Sequence, residues 1–526
     1  MPKVLISDEL SETAVRIFEE RGCDVTYEPK LGKDKDRLLK IIGDYDGLAV
    51  RSATKATAPV IAAGKRLRVI GRAGIGVDNI DIPAATAAGV VVMNTTYGNA
   101  ITTAEHAIAM MFSLARQIPL ANQSTHAGKW EKSRFMGVEL FGKTLGVIGC
   151  GNIGANVAER AIGLKMRVIA YDPYLTDARA IELGVEKTDL SELLARADII
   201  TLHTPLTDQT KNILSAAALA RTRKGVMIIN CARGGLVDEA ALKEGLDSGH
   251  IAAAALDVFE TEPATAHPLF GHERVVATPH LGASTNEAQE NVAIQVAEQM
   301  ADYLVRGAVT NALNMPSITA DEAPRLKPFI SLAEKLGQFA GQLTETSVKA
   351  IEVVYAGGVA RLNTKPMTAA AVAGVLRPML AEVNIVNAPL IAKERGVAIA
   401  ETYRDDAENF ESVIRLRIVT ERQSRSVSGA LFGSTPRIVE IKGVEMEATF
   451  APHMLYVTNE DKPGFIGALG QTLGAANVNI ATFNLGRSAP GADAIALLAV
   501  DDAVSPNTLA AVRALPHVKQ AKTLKF

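Results

Sequence analysis

The chain has 526 residues, of which 48% are hydrophobic and 21% are charged. These are globular proportions, and the length predicts about three or four domains. The formal net charge is only −3 and no basic block occurs, which argues against a nucleic-acid partner.

The N-terminal residues, MPKVLISDEL, lack the apolar core and small-residue cleavage site of a signal peptide. No apolar run reaches the roughly 18 residues that a membrane span requires. The three cysteines, Cys23, Cys150 and Cys231, lie far apart, which disfavours a disulfide framework or a zinc site. We therefore expect a cytoplasmic protein with no membrane span and no metal site.

Short apolar segments alternate with helical patterns at the start of the chain. KVLIS at 3–7 is followed by a helical pattern, and DGLAVRS, LRVIGRAG and GVVVMNTT repeat the theme up to residue 96. This alternation predicts an α/β domain with a parallel sheet. A long helical pattern from about Thr102 to Ala115 then leads into a second region of short strands.

That second region opens with KTLGVIGCGNIGANVAERAIGLKMRVIAYDP, in which Gly149, Gly151 and Gly154 form GxGxxG between a strand and a helix. The first glycine permits a tight turn, the second lets the backbone approach a pyrophosphate, and the third allows close helix packing. The next strand ends at Asp172, whose carboxylate can accept from both ribose hydroxyls and repels a 2′-phosphate. The unit predicts a dinucleotide site that prefers NAD, and the alternative is a glycine-rich turn in an ordinary βαβ unit.

Three chemically useful residues follow later apolar strands: Arg233 in NCARGG, Glu262 in FETEP and His280 in TPHLG. Removing a hydride from an alcohol carbon requires a base for the hydroxyl proton, and histidine suits that role. A neighbouring carboxylate fixes the imidazole ring, and an arginine binds a substrate carboxylate with two hydrogen bonds. His280 alone would be interpreted as an ordinary loop histidine. Together the three residues predict a dehydrogenase site.

The C-terminal third carries no such set of residues. Pro316 and Pro324 mark a linker, and residues 318–450 combine a helix with strand-like segments. From His453 the pattern is strand, turn, helix, strand, turn, strand, which indicates a small α+β regulatory module. The alternative for this tail is a dimerisation module without a ligand.

The order of these motifs resembles the D-isomer-specific 2-hydroxyacid dehydrogenases. GxGxxG, HTP at 203–205, CARGG, LDVFETEP and PHLGAST follow in turn, and RAGIGVDNID at 72–81 resembles the substrate domain of that family. GALFGSTPRIVEIKGVEME resembles the intervening domain of the long bacterial D-3-phosphoglycerate dehydrogenases. DKPG at 461–464 and NVNI at 477–480 resemble an ACT domain.

The resemblance implies four domains in an α/β chain. A flavodoxin-like substrate domain at 1–98 and 286–315 is interrupted by a Rossmann-like, doubly wound NAD domain at 99–285. An α+β intervening domain follows at 318–450, and an α+β ACT domain at 453–526. A homo-oligomer, dimer or tetramer, is implied as well, with the helix at 102–115 and the segment after it forming the dimer contact.

The resemblance also implies roles for individual residues. Arg233 would hold the substrate carboxylate, His280 would be the acid/base, and Glu262 would be its partner. Among the residues that would contact NAD, Thr204, Pro205 and Asp257 would lie near the nicotinamide. The full set is Gly149, Gly151, Asn152, Ile153, Gly154, Asp172, Thr204, Pro205, Cys231, Ala232, Asp257 and Gly282.

For the substrate, Arg51 and Arg134 would bind a phosphate, Arg134 from across a dimer. The backbone amides of Ala73 and Gly74 would bind the carboxylate, and Asn99 would contact the substrate as well. Arg72 and Lys132 are further cationic candidates. L-serine as an effector would be contacted by Asn459, Asp461 and Asn479.

The implied activity is NAD-dependent oxidation of 3-phospho-D-glycerate at C2 to 3-phosphohydroxypyruvate, which opens the phosphorylated route to L-serine. One alternative is a dehydrogenase for another D-2-hydroxy acid, such as 2-hydroxyglutarate, glycerate or lactate. The other is an NADH-sensing binding protein, like the C-terminal-binding transcriptional corepressors.

Overall fold

A computed structural model describes residues 1–380 and 382–526, and these form four sheets with their helices. None of the helices in these ranges combines the length and the hydrophobicity that crossing a lipid bilayer requires.

The first sheet is wholly parallel, with strand order β2-β1-β3-β4-β5, which is the flavodoxin-like order. Its inner strands are short runs of buried residues because helices cover both faces. The strands are β1 Lys3–Ile6, β2 Asp24–Tyr27, β3 Gly47–Val50, β4 Val69–Arg72 and β5 Val91–Asn94. The helices are α1 Glu12–Glu20, α2 Lys35–Ile41, α3 Ala58–Ala63 and α4 Ile82–Ala87, with short 3-10 turns at Leu31–Lys33 and Ile42–Asp44.

The second sheet is also parallel, with strand order β12-β11-β10-β9-β6-β7-β8. The order reverses between β6 and β9, so the crevice that such folds use for ligands opens at their carboxyl ends. The strands are β6 Thr144–Ile148, β7 Arg167–Tyr171, β8 Glu186–Lys187, β9 Ile199–Leu202, β10 Val226–Asn230, β11 Ile251–Leu256 and β12 Val275–Ala277. The helices are α5 Ala100–Arg116, α6 Ile118–His126, α7 Asn152–Gly163, α8 Asp177–Leu183, α9 Leu190–Arg196, α10 Ala216–Ala220 and α11 Glu239–Asp247.

Helix α12, Asn286–Arg306, returns the chain to the first sheet. Thr285 caps its N-terminus by accepting the Ala288 N–H at 3.2 Å, and Gly307 ends it in the left-handed conformation. Its apolar face packs on α1 and on β4. Gly71 in β4 is necessary for this approach, because a side chain there would overlap Met300.

The third sheet has the order β14-β13-β15-β16-β17-β18 and is antiparallel except for the β13–β14 pair. Helices α13 and α14 cross at close range because Gly337, Gly341 and Gly374 let their backbones touch. The elements are α13 Ala323–Gln342, β13 Val348–Gly357, a 3-10 turn at Gly358–Arg361, α14 Lys365–Leu376, α15 Ala388–Glu394, β14 Ala398–Arg404, β15 Ser412–Thr420, β16 Ser424–Phe432, β17 Thr435–Ile441 and β18 Val444–Thr449.

The fourth sheet is antiparallel, with order β20-β21-β19-β22 and two helices on one face. Its other face joins the third domain, where Tyr456 and Phe339 of α13 meet edge to face with ring centroids 5.9 Å apart. The elements are β19 His453–Glu460, α16 Phe465–Ala475, β20 Ile480–Arg487, β21 Asp493–Val500, α17 Pro506–Arg513 and β22 Val518–Lys525.

Candidate active site

The glycine-rich loop joins β6 to α7 and has the shape that a dinucleotide requires. Gly149 has φ of 90°, and a Cβ there would come within 2.5 Å of the His203 carbonyl oxygen. A Cβ on Gly154 would overlap the Gly149 carbonyl. Gly151 instead has no neighbour within 4 Å of a built Cβ, so open space lies at the start of α7. The free amides of the first helical turn and this space fit a pyrophosphate.

Asp172 lies at the carboxyl end of β7, directly beside that loop. Its carboxylate accepts the Cys150 N–H at 2.8 Å and the Tyr174 N–H at 2.8 Å, which fixes its position next to the space over Gly151. Burial and the Asp172 charge raise the pKa of the Cys150 thiol to about 11, so this cysteine stays protonated. The carboxylate is placed to meet a ribose, and Cys150 supplies no nucleophile.

The other predicted cofactor residues surround the same crevice. Thr204 and Pro205 follow β9, and the Thr204 nitrogen is 3.0 Å from the Cβ position of Gly149. Cys231 and Ala232 follow β10 and are buried. Two further predicted residues, Asn152 and Ile153, lie in the first turn of α7. Ile153 is half-buried, and Asn152 donates its side-chain amide to the Thr96 carbonyl at 3.3 Å.

His280 and Glu262 form a hydrogen-bonded pair, with 2.7 Å between Nδ1 and Oε2. The other Glu262 oxygen accepts the Phe259 N–H at 3.1 Å, which holds the carboxylate in place. Burial raises the pKa of Glu262, but the hydrogen bonds from His280 and Phe259 outweigh it, and the pKa lies below its ordinary value. Since Nδ1 faces Glu262, Nε2 of His280 is left for a substrate in the cavity that both residues line.

The turn that carries His280 is held by Asp257, a residue that was predicted to lie near the nicotinamide. The Asp257 side chain has no solvent-exposed surface. Its oxygens accept from the Thr278 hydroxyl at 2.6 Å, the Leu281 N–H at 2.7 Å and the Gly282 N–H at 2.8 Å. Asp257 therefore anchors the turn, and the Gly282 amide is engaged in this anchor.

His106 on α5 completes this anchor. Its Nε2 lies 3.3 Å from both Asp257 Oδ1 and Thr278 Oγ1. His280 itself has φ of 56°, a left-handed conformation that a non-glycine residue adopts only under constraint. The hydrogen bonds around Asp257 supply that constraint.

Arg233 reaches the first domain from the second. Its Nε donates to Asp78 at 3.0 Å, and its guanidinium lies against Gly76, where any side chain would overlap it. Asn94 fixes the same loop by donating to the Ile75 carbonyl at 2.7 Å. The loop from Gly74 to Gly76 is thus pressed between the guanidinium of Arg233 and that of Arg72.

The predicted carboxylate amides in this loop were wrong. The Ala73 N–H donates to the Val50 carbonyl at 2.9 Å, and the Gly74 N–H donates to the Thr95 hydroxyl at 2.7 Å. The amides of Ile75 and Gly76 have no acceptor among the described residues. These two lie next to Arg233, and the shift by two positions follows from β4 continuing its ladder to β3 as far as Ala73.

A cavity of about 1130 Å³ lies between the first two domains, and His280 and Glu262 face Arg51, Lys55 and Arg72 across it. Burial and the nearby Arg233 lower the pKa of Arg72 to about 10, so the guanidinium remains charged at neutral pH.

Asn79, which sequence reasoning missed, positions two of these cations. It donates to the Arg51 carbonyl at 2.6 Å and accepts from Arg72 Nε at 3.4 Å. Asn99, a predicted substrate contact, lines the cavity. Its buried Oδ1 has no partner among the residues that the structure describes.

Arg134 does not reach this cavity within one chain. Its guanidinium contacts Glu131 at 3.3 Å and Glu273 at 3.5 Å on the surface. The segment around it exposes Trp130 by 86% and Met136 by 77%. Arg72, which the sequence left as a secondary candidate, lines the cavity together with Arg51.

The three predicted effector residues separate into two groups. Asn459 is buried at the end of β19, and Asp461 next to it accepts from Arg487 at 2.6 Å. Asn479 precedes β20 and donates to Asp501 at 2.6 Å, at the other end of β21. One chain therefore does not bring the three residues together.

Three family models match the chain. They are the NAD-binding domain of the D-isomer-specific 2-hydroxyacid dehydrogenases over residues 108–282, the D-3-phosphoglycerate dehydrogenase intervening domain over 325–442, and the ACT domain over 453–517. The predicted fold class and the predicted cofactor, NAD, are confirmed.

Relatives and solved structures agree. The D-3-phosphoglycerate dehydrogenase of Archaeoglobus fulgidus is 42% identical over 511 residues, 96% of this chain and 97% of the relative. That of Bacillus subtilis is 40% identical over 528 residues, 100% of this chain and 99% of the relative. A glyoxylate reductase structure from Paecilomyes thermophila covers 59% of this chain and 98% of its own, with 29% identity and a TM-score of 0.56. The chain belongs to the D-3-phosphoglycerate dehydrogenases, an NAD-dependent family of D-isomer-specific 2-hydroxyacid dehydrogenases.

Proposed function

We propose that this protein oxidises 3-phospho-D-glycerate at C2 to 3-phosphohydroxypyruvate with NAD, the reaction that opens the phosphorylated route to L-serine. The observation that carries the proposal is the cationic wall of Arg51, Lys55 and Arg72, which lines the same cavity as His280. A substrate with only one anionic group would leave the half-buried charges of Arg51 and Arg72 without a counterion.

The acidic residues that line the cavity form no ion pair with Arg51, Lys55 or Arg72 in the part of the chain that the structure describes. Asp78 pairs with Arg233, and Asp81 accepts the Ala84 N–H at 2.9 Å as the N-cap of α4. Glu262 is engaged by His280. The three cations therefore remain available for a dianionic phosphate.

The substrate carboxylate fits the opposite side of the loop. Arg233 offers guanidinium N–H groups and lies against Gly76, whose amide, like that of Ile75, has no acceptor among the described residues. Charge-assisted hydrogen bonds of this kind fix both position and orientation of a carboxylate. C2 then lies between the carboxylate and the phosphate, within reach of His280.

The proton and the hydride of the substrate go to different acceptors, His280 and NAD. Nε2 of His280 takes the C2 hydroxyl proton, and Glu262 stabilises the positive charge that forms on the imidazole. Bound NAD supplies the acceptor for the C2 hydride. The open space over Gly151 and the carboxylate of Asp172 are the features that fit this cofactor.

Replacing Arg72 tests the substrate assignment. Arg72→Met should lower kcat/KM for 3-phospho-D-glycerate by about 100-fold, because a buried charged hydrogen bond contributes roughly 1.5–3 kcal/mol. For D-glycerate the same change should be nearly neutral. Arg66→Met, which removes an exposed arginine of the same domain, is the matched control. A wild-type enzyme with no preference for the phosphorylated substrate would overturn the proposal.

The exposed apolar side chains around Arg134 support a homodimer. Trp130, Met136 and Phe141 lie on one surface segment and are exposed by 86%, 77% and 73%. Contiguous exposed apolar surface of this kind marks a protein interface. Trp130→Glu should shift the sedimentation coefficient toward the monomer, and an unchanged coefficient would place the contact elsewhere.

L-serine as an effector fits a pairing of two tails. Asn459 and Asp461 of one copy and Asn479 of another would have to meet, since one chain holds them apart. Asn459 supplies a buried amide oxygen that has no partner among the described residues. Activity on 3-phospho-D-glycerate should fall with L-serine in the wild type and not in Asn479→Ala; no effect of serine on the wild type would exclude this role.

A further inference from the structure

A second cavity, of about 340 Å³, lies in the third domain, remote from the catalytic cavity and unused by the proposed reaction. Gly429 of β16 faces α13, because a Cβ there would touch Leu332 and Leu336. Side chains alternate along a strand, so Ser428 and Phe432 face the opposite side. The cavity lies on that side of the sheet.

Part of the wall of this cavity is apolar and aromatic. Val354, Val413 and Val439 project from three strands, and the loop at 405–411 carries Phe410 over them. Phe410 and Phe432 meet edge to face, with ring centroids 6.4 Å apart, and stay exposed by 36% and 38%. The size falls at the lower end of the range for small-molecule sites, roughly 300–1,000 Å³.

Two cations, Arg404 and Arg415, line the cavity, and Arg415 has bonding capacity to spare. Arg415 donates from Nη2 to Glu440 at 2.8 Å and from Nε to the buried Ser428 hydroxyl at 3.0 Å. Glu440 also accepts the Gly443 N–H at 3.0 Å. A guanidinium has five N–H donors, and the others of Arg415 have no acceptor among the residues that the structure describes. The pocket can therefore bind one carboxylate in a fixed orientation.

Most of the other charged side chains of the lining are acidic. Asp406, Glu408 and Glu445 have no ion-pair partner within the described ranges, whereas Glu447 is paired with Arg437. Clustered carboxylates repel a phosphorylated acid and attract an ammonium group. The substrate of the catalytic cavity is thus the wrong ligand for this one.

We propose that this cavity binds an apolar α-amino acid. Its carboxylate bonds to Arg415, its ammonium group faces the carboxylates of Glu408 and Glu445, and its side chain packs between Phe410 and Phe432. The proposal is independent of the substrate assignment.

A bound ligand would touch the strand that leads to the fourth domain. Glu445 and Met446 of β18 line the cavity, and β20 crosses that strand so closely that a Cβ on Gly486 would lie 2.7 Å from the Glu445 carbonyl oxygen. Occupancy of the cavity therefore bears on the packing of the fourth domain.

Calorimetric titration of the full-length protein with L-phenylalanine tests this site. We expect saturable binding, with affinity lower by about tenfold or more for 3-phenylpropionate, which lacks the ammonium, and for phenethylamine, which lacks the carboxylate. Inorganic phosphate and 3-phospho-D-glycerate should not compete. No heat with L-phenylalanine, or equal binding of 3-phenylpropionate, overturns the proposal.

Variants locate the binding. Glu408→Gln and Phe410→Ala change exposed loop residues and should each weaken L-phenylalanine binding by about tenfold. Glu421→Gln removes an exposed carboxylate that pairs with Lys349 at 3.0 Å in another part of the sheet, and should leave affinity unchanged. Binding that survives both loop changes, or that is lost with Asn459→Ala in the tail instead, contradicts a site in the third domain.

Discussion

The substitution Glu262→Gln distinguishes two roles of Glu262. One is to orient His280 through a hydrogen bond, and the other is to stabilise the positive charge that forms on its imidazole. The amide keeps the size of the side chain and can still bond to Nδ1 of His280 across the 2.7 Å contact. It removes the negative charge opposite the imidazolium that forms when Nε2 takes the substrate proton. The change therefore acts mainly on the transition state and little on the ground state.

The magnitude follows from the exposure of the pair. Two unit charges about 4 Å apart interact by roughly 4 kcal/mol at the effective dielectric of a protein surface. The side chains are 34% exposed for Glu262 and 49% for His280, so solvent screens part of this interaction. We expect a loss of about 2–3 kcal/mol, or roughly 30- to 150-fold in kcat.

Steady-state NADH formation from 3-phospho-D-glycerate measures this loss, with NADH binding followed by fluorescence. We expect kcat to fall and the Kd for NADH to remain unchanged. Glu260→Gln, two residues earlier on the same loop and exposed, is the matched control. A kcat within about twofold of the wild type would refute the role of the carboxylate charge.

Gly151→Ala should leave Tm unchanged and raise KM for NAD at least about tenfold, because its Cβ lies in the open space that fits the cofactor. Gly154→Ala should lower both Tm and NAD affinity, because its Cβ overlaps the loop backbone. His106→Leu should lower kcat by about tenfold, because the turn that carries His280 loses a hydrogen bond. The control His250→Leu also removes a histidine–threonine contact, and it should lower Tm and leave kcat unchanged. Equal kcat values in the two variants would contradict a positioning role of His106. Burial raises the pKa of Asp257, but hydrogen bonds from His106, Thr278 and Leu281 outweigh it, so its folded pKa lies below the ordinary value of about 3.9. Its stabilisation is present above that ordinary pKa and is lost as pH falls through the lower folded pKa, so the Tm difference between wild type and Asp257→Asn should shrink as pH falls below about 5.

The nucleotide loop was predictable because its requirements are local. Glycine is required at Gly149, Gly151 and Gly154 for steric reasons, and the strand, turn and helix that impose them are adjacent in sequence. The approach of Glu262 to His280 followed from a general rule, since parallel strands bring their carboxyl ends to one edge. Both expectations rest on geometry that one βαβ unit or one sheet defines.

The contacts that sequence reasoning did not predict depend on where strands stop pairing and on which loops lie together in the folded chain. Whether the amides of Ala73 and Gly74 or those of Ile75 and Gly76 are free depends on where β4 stops pairing with β3. The choice of Arg72 depends on Asn79, which lies in the loop after β4. No periodicity signals such contacts.

Asp257 shows a different limit. An acidic residue at a strand end in a cofactor domain fits either a ligand contact or a buried anchor. The choice depends on how many donors converge on it, and here the hydroxyl of Thr278 and the amides of Leu281 and Gly282 do so from a turn more than twenty residues away. The tail has the same limit, because Asn459 and Asn479 are separated by the length of a strand that the sequence pattern does not measure.

The most direct measurement is turnover of 3-phospho-D-glycerate with NAD by His280→Ala, compared with the wild type, together with NADH binding to both. The wild type should form NADH from this substrate, and the variant should lose most of its turnover while it binds NADH nearly as tightly as before. Turnover by the variant at a near wild-type rate would contradict the assignment of the base, and absence of turnover by the wild type would contradict the proposed reaction.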